Sequence, residues 1–341
     1  MTSIQAQFLS KIAARLRFFA IAILVLIAIV ACQGSRPELV SISPSSTINC
    51  RLIQQEVGET KICGQPKRIV ALGPYSLEPL LALGIQSIGF ADHVAFHRGD
   101  YTDPRQQIPY LGDRFTRPPV NLGLAFNPSL ESILKLKPDL IIGLEQGNTN
   151  WYTTLSKIAP TVLIDYADPE ASLRMVAKAV NQSQKAEEVL TEVRQQIAAA
   201  RKAFATFATQ YSDVLLLSAS ELQIMSVESS TDACGALITA LGFQLSGNAT
   251  NVLSLEALAD FNDADLIILL GSNFSNLDQG DFEAHQLSKL KQAWNTNAIA
   301  QSLSATKAGR VYFLPLYLCR GLPGAIGTKL YLNELRQQLL S

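Results

Sequence analysis

Ser129-Leu-Glu131-Ser-Ile133 running on to Lys137-Pro-Asp139-Leu-Ile-Ile142, and much later Ser254-Leu-Glu256-Ala-Leu258 running on to Asp265-Leu-Ile-Ile268, are one phrase written twice. Each copy reads as a short helix feeding a short, wholly apolar strand, the kind buried on both faces of a parallel sheet. A second matched phrase precedes each copy. Arg68-Ile-Val-Ala-Leu72, then Ser76 to Gly84 (with Glu78-Pro-Leu-Leu-Ala-Leu-Gly84) and Ile85 to Phe90 read as strand, helix and strand. Asp213-Val-Leu-Leu-Leu217, then Ala236-Leu-Ile-Thr-Ala-Leu-Gly242, repeat it. The expected fold is α/β: two Rossmann-like lobes with mainly parallel sheets. A helix over 150–158 and a strand Thr161 to Ile164 extend the first lobe, and Val311 to Leu314 is a strand of the second.

Working outward, Gln184 to Phe207 holds neither Gly nor Pro, and Val189, Val193, Ile197, Phe204 and Phe207 share one face. That pattern predicts one long amphipathic helix joining the lobes. The expected organisation is an N-terminal lobe over 48–183, a connecting helix over 184–208 and a C-terminal lobe over 209–341. A single stiff connector predicts a modest change of lobe angle on ligand binding rather than a wide hinge closure. The stretch from Gly84 to Asp139 is more than twice that from Gly242 to Asp265, so the first lobe carries a long extra connection through Asp92 to Asn127. Long connections in compact lobes are usually functional.

The N-terminal end has the layout of an export signal. Lys11, Arg15 and Arg17 precede an apolar run from Phe18 to Val30, and no acidic residue comes before Glu38. The run is shorter than the roughly 18 to 20 residues a membrane span needs. It ends in Ile29-Val30-Ala31-Cys32, which resembles the lipobox of bacterial lipoproteins, in which the cysteine becomes the lipid-modified first residue. Residues 1–31 are thus expected to be a lipoprotein signal peptide and Cys32 the lipidation site. Acyl chains contribute about 0.8 kcal/mol per buried CH2, enough for several to hold a domain at a membrane. Residues 32–47, polar and rich in Ser and Pro, suit a tether.

The chain has 28 basic and 29 acidic residues. Loss of Lys11, Arg15 and Arg17 with the signal leaves 25 basic against 29 acidic, about −4. Such a balance gives no electrostatic support to nucleic-acid binding. With 48% hydrophobic residues the chain can bury large cores without a cofactor. Of five cysteines, Cys50 and Cys63 flank a short polar stretch and are expected to pair in an oxidising compartment, stabilising by about 3 kcal/mol. Cys234 and Cys319 sit among apolar neighbours and read as buried small hydrophobes.

Taken in order, Arg68-Ile-Val-Ala-Leu72, Glu78 before Leu83-Gly84, Asn127-Pro-Ser-Leu-Glu-Ser-Ile133 with Lys137-Pro-Asp-Leu-Ile-Ile142, Ile158-Ala-Pro-Thr-Val162 and Ala305-Thr-Lys-Ala-Gly-Arg-Val-Tyr312 resemble one family. It is the helix-bridged, class III group of ABC-importer substrate-binding proteins, whose members bind ferric siderophores, ferric citrate, haem or vitamin B12. The resemblance runs from about Arg68 to the C-terminus. It implies an extracytoplasmic (periplasmic) monomeric binding protein, held to a membrane by its lipid, that delivers a ferric chelate to a permease for iron transport. It further implies an acid at the outer tip of each lobe for docking. Glu78 matches the first position, and Asp232 stands in for the second because the repeat aligns Glu78 with Ala236.

Ligand residues are expected on loops at the carboxyl ends of strands. An anionic chelate calls for guanidinium groups and aromatic faces. The expected ligand-binding set is Tyr75, Arg98, Arg114, Arg117, Trp151, Tyr317 and Arg320, with Arg105, Phe96, Tyr101 and Tyr110 also on the long connection. His93 and His97 are four apart, but the only other histidine is His285, so iron is expected inside its chelator and no intrinsic cofactor is expected. Haem, with His93, His97 or Tyr317 as axial ligand, and vitamin B12 are the alternatives within the family. An exported α/β enzyme or sensor is the alternative outside it. Gly321-Leu-Pro-Gly-Ala-Ile-Gly327-Thr-Lys has neither dinucleotide nor P-loop spacing, and no nucleophile elbow occurs.

Overall fold

Alternation of apolar strands with capped helices builds two sheets, each covered by helices. The computed structural model describes residues 49–93, 96–247, 252–274 and 281–340. The expected signal peptide and tether, with Cys32, lie outside the described residues. Among the described residues no helix is long and apolar enough to cross a membrane.

The domain opens with a hairpin, β1 (Cys50–Gln55) and β2 (Gly58–Cys63), in antiparallel register with Cys50 opposite Cys63. Those two cysteines form a disulfide. Arg51 donates to the Ala179 carbonyl, and Thr60 Oγ1 donates to the Thr161 carbonyl at 2.8 Å, tying the hairpin to the first lobe.

That lobe contains β3 (Ile69–Leu72), α1 (Pro74–Ala82), β4 (Gly89–Asp92), β5 (Val120–Leu124), β6 (Asn127–Pro128), α2 (Leu130–Leu136), β7 (Leu140–Leu144), β8 (Thr161–Ile164) and α3 (Pro169–Ala179). Its sheet order is β6-β5-β4-β3-β7-β8, parallel except for β6 against β5. β3, β7 and β8 are buried along their whole length, as strands sandwiched between helices must be. The expected helix over 150–158 is instead broken into a 3-10 turn, Thr149–Trp151, and a single helical turn, Tyr152–Leu155. Two threonines, a serine and two aromatics give that stretch little intrinsic helix preference, and the hairpin holds Tyr152 through Thr60.

After α4 (Ser183–Gln210) the second lobe follows with β9 (Asp213–Glu221), β10 (Ile224–Val227), α5 (Ala233–Ala240), β11 (Gln244–Leu245), β12 (Val252–Ser254), β13 (Leu266–Gly271), α6 (Phe282–Thr296), β14 (Val311–Pro315) and α7 (Ala325–Leu339). Its sheet runs β12-β10-β9-β13-β14, with β11 parallel to the start of β9. The order β4-β3-β7-β8 thus recurs as β11-β9-β13-β14. The repeat extends to single residues. Gly84 (φ 77°) and Gly242 (φ 104°) follow α1 and α5 in the left-handed region that glycine tolerates. Asp139 accepts the Lys67 and Arg68 amides at 2.8 Å, and Asp265 accepts the Asp213 amide at 3.0 Å, so each repeated Asp pins the opening strand of its lobe.

The connecting helix serves both cores. Ala186, Val189 and Leu190 of α4 pack into the first lobe's main apolar cluster, and Ala200, Phe204 and Ala208 into a cluster of the second. The last helix also packs across the junction. Leu322, ahead of α7, and Ile326, in its first turn, belong to the first lobe's cluster, whereas Tyr331, Leu332, Leu335 and Leu339 belong to the second's. The chain thus joins the lobes through the one long helix expected, and α7 adds packing across the junction.

Candidate functional site

The lobes meet where the carboxyl ends of their strands face each other. From the first lobe come Tyr75, one residue into α1, and His93, just after β4; from the second come Tyr317, beyond β14, and Phe274, beyond β13. Their rings form one contiguous aromatic cluster. His93 lies 5.6 Å from Tyr317 and 5.5 Å from Tyr75, Tyr75 meets Tyr166 edge-on at 5.1 Å, and Tyr110 stacks on Tyr317 at 5.8 Å. Phe282 closes the far side, edge-on to Tyr317 and Phe96 at 5.0 Å each. Aromatic pairs at such separations contribute roughly 0.5 to 1.5 kcal/mol beyond area burial. Burial pushes the Tyr75, Tyr110 and Tyr317 hydroxyls well above the usual phenol range, so all three are neutral hydrogen-bonding groups.

Beside this cluster lies a cavity of about 680 Å³ lined by Phe96, His97, Arg105, Gln106, Gln107, Pro109 and Tyr110 from the first lobe and Asp281, Phe282 and Glu283 from the second. Its size suits a small organic ligand. A neighbouring cavity of about 360 Å³ shares His97 and is lined further by Asp92, Arg98, Asp100, Tyr101 and Asn121. The long connection of the first lobe therefore lines both. Tyr110 adopts φ 60°, uncommon for a bulky residue; buried Ile108 and Leu111 on either side and the rings of Tyr317 and Phe282 hold it there. Its hydroxyl lies 3.5 Å from both Glu283 Oε2 and Gln286 Nε2.

The residues expected from the sequence to bind ligand fall in different places. Tyr75 is half-buried at the lobe junction, and Arg98 lines the smaller cavity. Arg320 is also at the junction, but its Nη2 lies 2.6 Å from Oε2 of Glu228, which is 2% exposed. Tyr317 is itself 2% exposed, a wall beneath the other rings rather than an open face. Trp151 is a correction: its indole N–H donates to the Phe126 carbonyl at 3.0 Å and its ring packs against the first lobe's apolar cluster around Val70, Leu122 and Leu155. Arg114 and Arg117 are exposed and line neither cavity, and Arg114 lies close enough to Glu78 to favour that residue's charged form. Asp281 and Glu283 were missed, although Asp281 ahead of Phe282-Glu283 carries the signature of a helix start. Its carboxylate caps α6 through the Glu283 and Ala284 amides at 2.9 and 3.1 Å.

The docking expectation for Glu78 is overturned. Glu78 is 2% exposed, and its carboxylate accepts the amides of Gly324, Ile326 and Gly327 at 2.9, 2.8 and 2.9 Å, at the first turn of α7. It is a bond between lobes, built on the unpaired donors and positive dipole of a helix N-terminus. Burial raises its pKa, against the effect of those three amides. Asp232 is likewise engaged, accepting the Ser229 amide at 2.8 Å ahead of α5. Cys234 and Cys319 are not separate buried hydrophobes but a second disulfide, stapling α5 to the turn that carries Tyr317 and Arg320. Both lie in apolar surroundings, which is why the sequence read as it did.

Among the described residues no three His, Cys, Asp or Glu side chains gather around a point where a metal ion could sit. His97 Nε2 is engaged at 2.9 Å with the Asp100 carbonyl.

Two α/β lobes, helix-bridged, with an aromatic cleft at the carboxyl ends of their strands, define a class of binding protein. Residues 69–318 match the periplasmic binding protein family, and the chain belongs to it. The chain is 28% identical over 276 residues to the Fe(3+)-citrate-binding protein YfmC of Bacillus subtilis, covering 79% of each chain. It is 27% identical over 297 residues to the probable siderophore-binding lipoprotein YfiY of the same organism, covering 83% of this chain and 85% of YfiY. In fold it resembles Staphylococcus aureus SirA complexed with staphyloferrin B, with TM-score 0.65 and 22% identity over 84% of this chain and 97% of SirA.

Proposed function

We propose that this chain is an extracytoplasmic, lipid-anchored binding protein that captures a ferric chelate and delivers it to an ABC importer. The family match over 69–318, combined with an aromatic cleft large enough for a chelate, carries this reading. The curated relatives named for ferric citrate and siderophores support it. The chelator holds the iron; the lobes hold the chelator, favouring the arrangement that both contact. Calorimetric titration of residues 48–341 with ferric chelates and, as controls, haemin, cobalamin and free metal ions tests it. Saturable binding of a ferric chelate alone is expected. Binding confined to haemin or cobalamin would move the cargo within the family, and binding of nothing would remove the transport reading.

Anchoring rests on Cys32 in its lipobox, and Cys32→Ser should release the protein from membranes. For docking, the acids that fit are the exposed pair at matched positions of the repeat, Glu131 and Glu256. Glu131 is spanned only by an exposed pair with Lys135 at 2.7 Å, worth well under about 1 kcal/mol and easily exchanged for a permease cation. Glu131→Lys with Glu256→Lys should lower uptake and leave chelate affinity as it was; undiminished uptake would refute the assignment.

A further inference from the structure

The charge in the cleft runs opposite to what the arginine-rich connection suggests. In the larger cavity the first lobe contributes one guanidinium, Arg105, and its Nε already lies 3.7 Å from Asp113. The second lobe answers with two carboxylates, Asp281 and Glu283. The adjoining cavity adds Arg98 against Asp92 and Asp100. Arg320 is matched by Glu228 at 2.6 Å. Among the described residues lining the two cavities, carboxylates therefore outnumber guanidinium groups two to one, so that these linings carry no surplus of positive charge. Charges interact more strongly in such a partly desolvated space than in water, and a like charge placed there is rejected.

Chelate chemistry turns this into a choice. Ferric ion bound by three hydroxamates, each a monoanion, makes a neutral core, and an amine arm makes the whole cationic. Three catecholates, each a dianion, leave a complex of charge −3, and citrate complexes are also anionic. Asp281 is committed to the helix cap, whereas the Glu283 carboxylate, which lines the cavity, accepts a long 3.5 Å hydrogen bond from the Tyr110 hydroxyl and is left to act on a ligand. Resting on the proposed transport role, we infer that the cargo is a neutral or cationic ferric chelate of the hydroxamate kind, and that Glu283 is the residue that discriminates against polyanionic chelates.

Calorimetry of the same domain with ferrioxamine B (cationic), ferrichrome (neutral), a ferric tris-catecholate (trianionic) and ferric dicitrate decides it. A hydroxamate complex should bind at least tenfold more tightly than either anionic complex, and Glu283→Gln should narrow that gap at least threefold. An anionic complex binding as tightly as the hydroxamates, or a gap that Glu283→Gln leaves unmoved, overturns this inference and leaves the transport role standing. Binding of none of the four overturns this inference and the ferric-chelate reading with it.

Discussion

Replacing Glu78 by alanine removes the acceptor of three backbone amides that no residue of the first turn of α7 can satisfy in its place. Hydrogen bonds to a charged group are worth about 1.5 to 3 kcal/mol each in isolation, but the cost of burying the carboxylate offsets much of that, so about 3 kcal/mol is the expected loss. Urea unfolding followed by circular dichroism should show a lower midpoint at unchanged m-value. A loss below about 1 kcal/mol would mean that the amides find water readily, and would refute the interlobe bond as a stabilising element. The pH dependence gives a second check. Burial raises the folded pKa of Glu78 above its unfolded value, so its contribution is complete below the ordinary carboxylate range and declines as pH rises through the folded pKa. Glu78→Gln lacks that decline, so the stability gap between wild type and Glu78→Gln should narrow as pH rises from about 4. A widening gap would show that the three amides outweigh burial.

Gly324→Ala tests the same contact from the other side: a Cβ there would lie 2.7 Å from Glu78 Oε2, and a destabilisation of about 1 to 3 kcal/mol by the same urea assay is expected. Replacing both Cys234 and Cys319 by serine opens a loop with a sequence separation of 85, and on the chain-entropy model it should cost about 4.5 kcal/mol by urea unfolding. Arg320→Ala strands the buried carboxylate of Glu228, and about 2 to 3 kcal/mol of stability should be lost, with most of it recovered in Arg320→Ala combined with Glu228→Gln.

The fold was legible because its signals are local and doubled. The apolar strands at Leu140 and Leu266, the glycines at 84 and 242 and the Gly- and Pro-free run of the connector each carry their own physics, and the second copy of a phrase confirms the first. The site was much less so. Glu78 meets Gly324 across 246 positions and Tyr110 meets Glu283 across 173, and no periodicity encodes such pairings. Glu78 in particular looks on paper like any acid on a short helix; only the arrival of α7 decides that it is enclosed. Trp151 was read as a cleft-side aromatic, but its indole is held by the Phe126 carbonyl, a partner 25 positions away that no local pattern announces. The disulfide of Cys234 and Cys319 was hidden because burial among apolar neighbours is equally the habit of a free thiol.

Two braces between the lobes have a consequence for how a transporter senses its cargo. One brace leaves a body free to twist about it; a second, packed against the first and fastened at Glu78, stiffens that joint. Chelate binding should then hardly alter the radius of gyration, and a permease must tell the loaded carrier from the empty one by side chains and loops at the rim of the cleft.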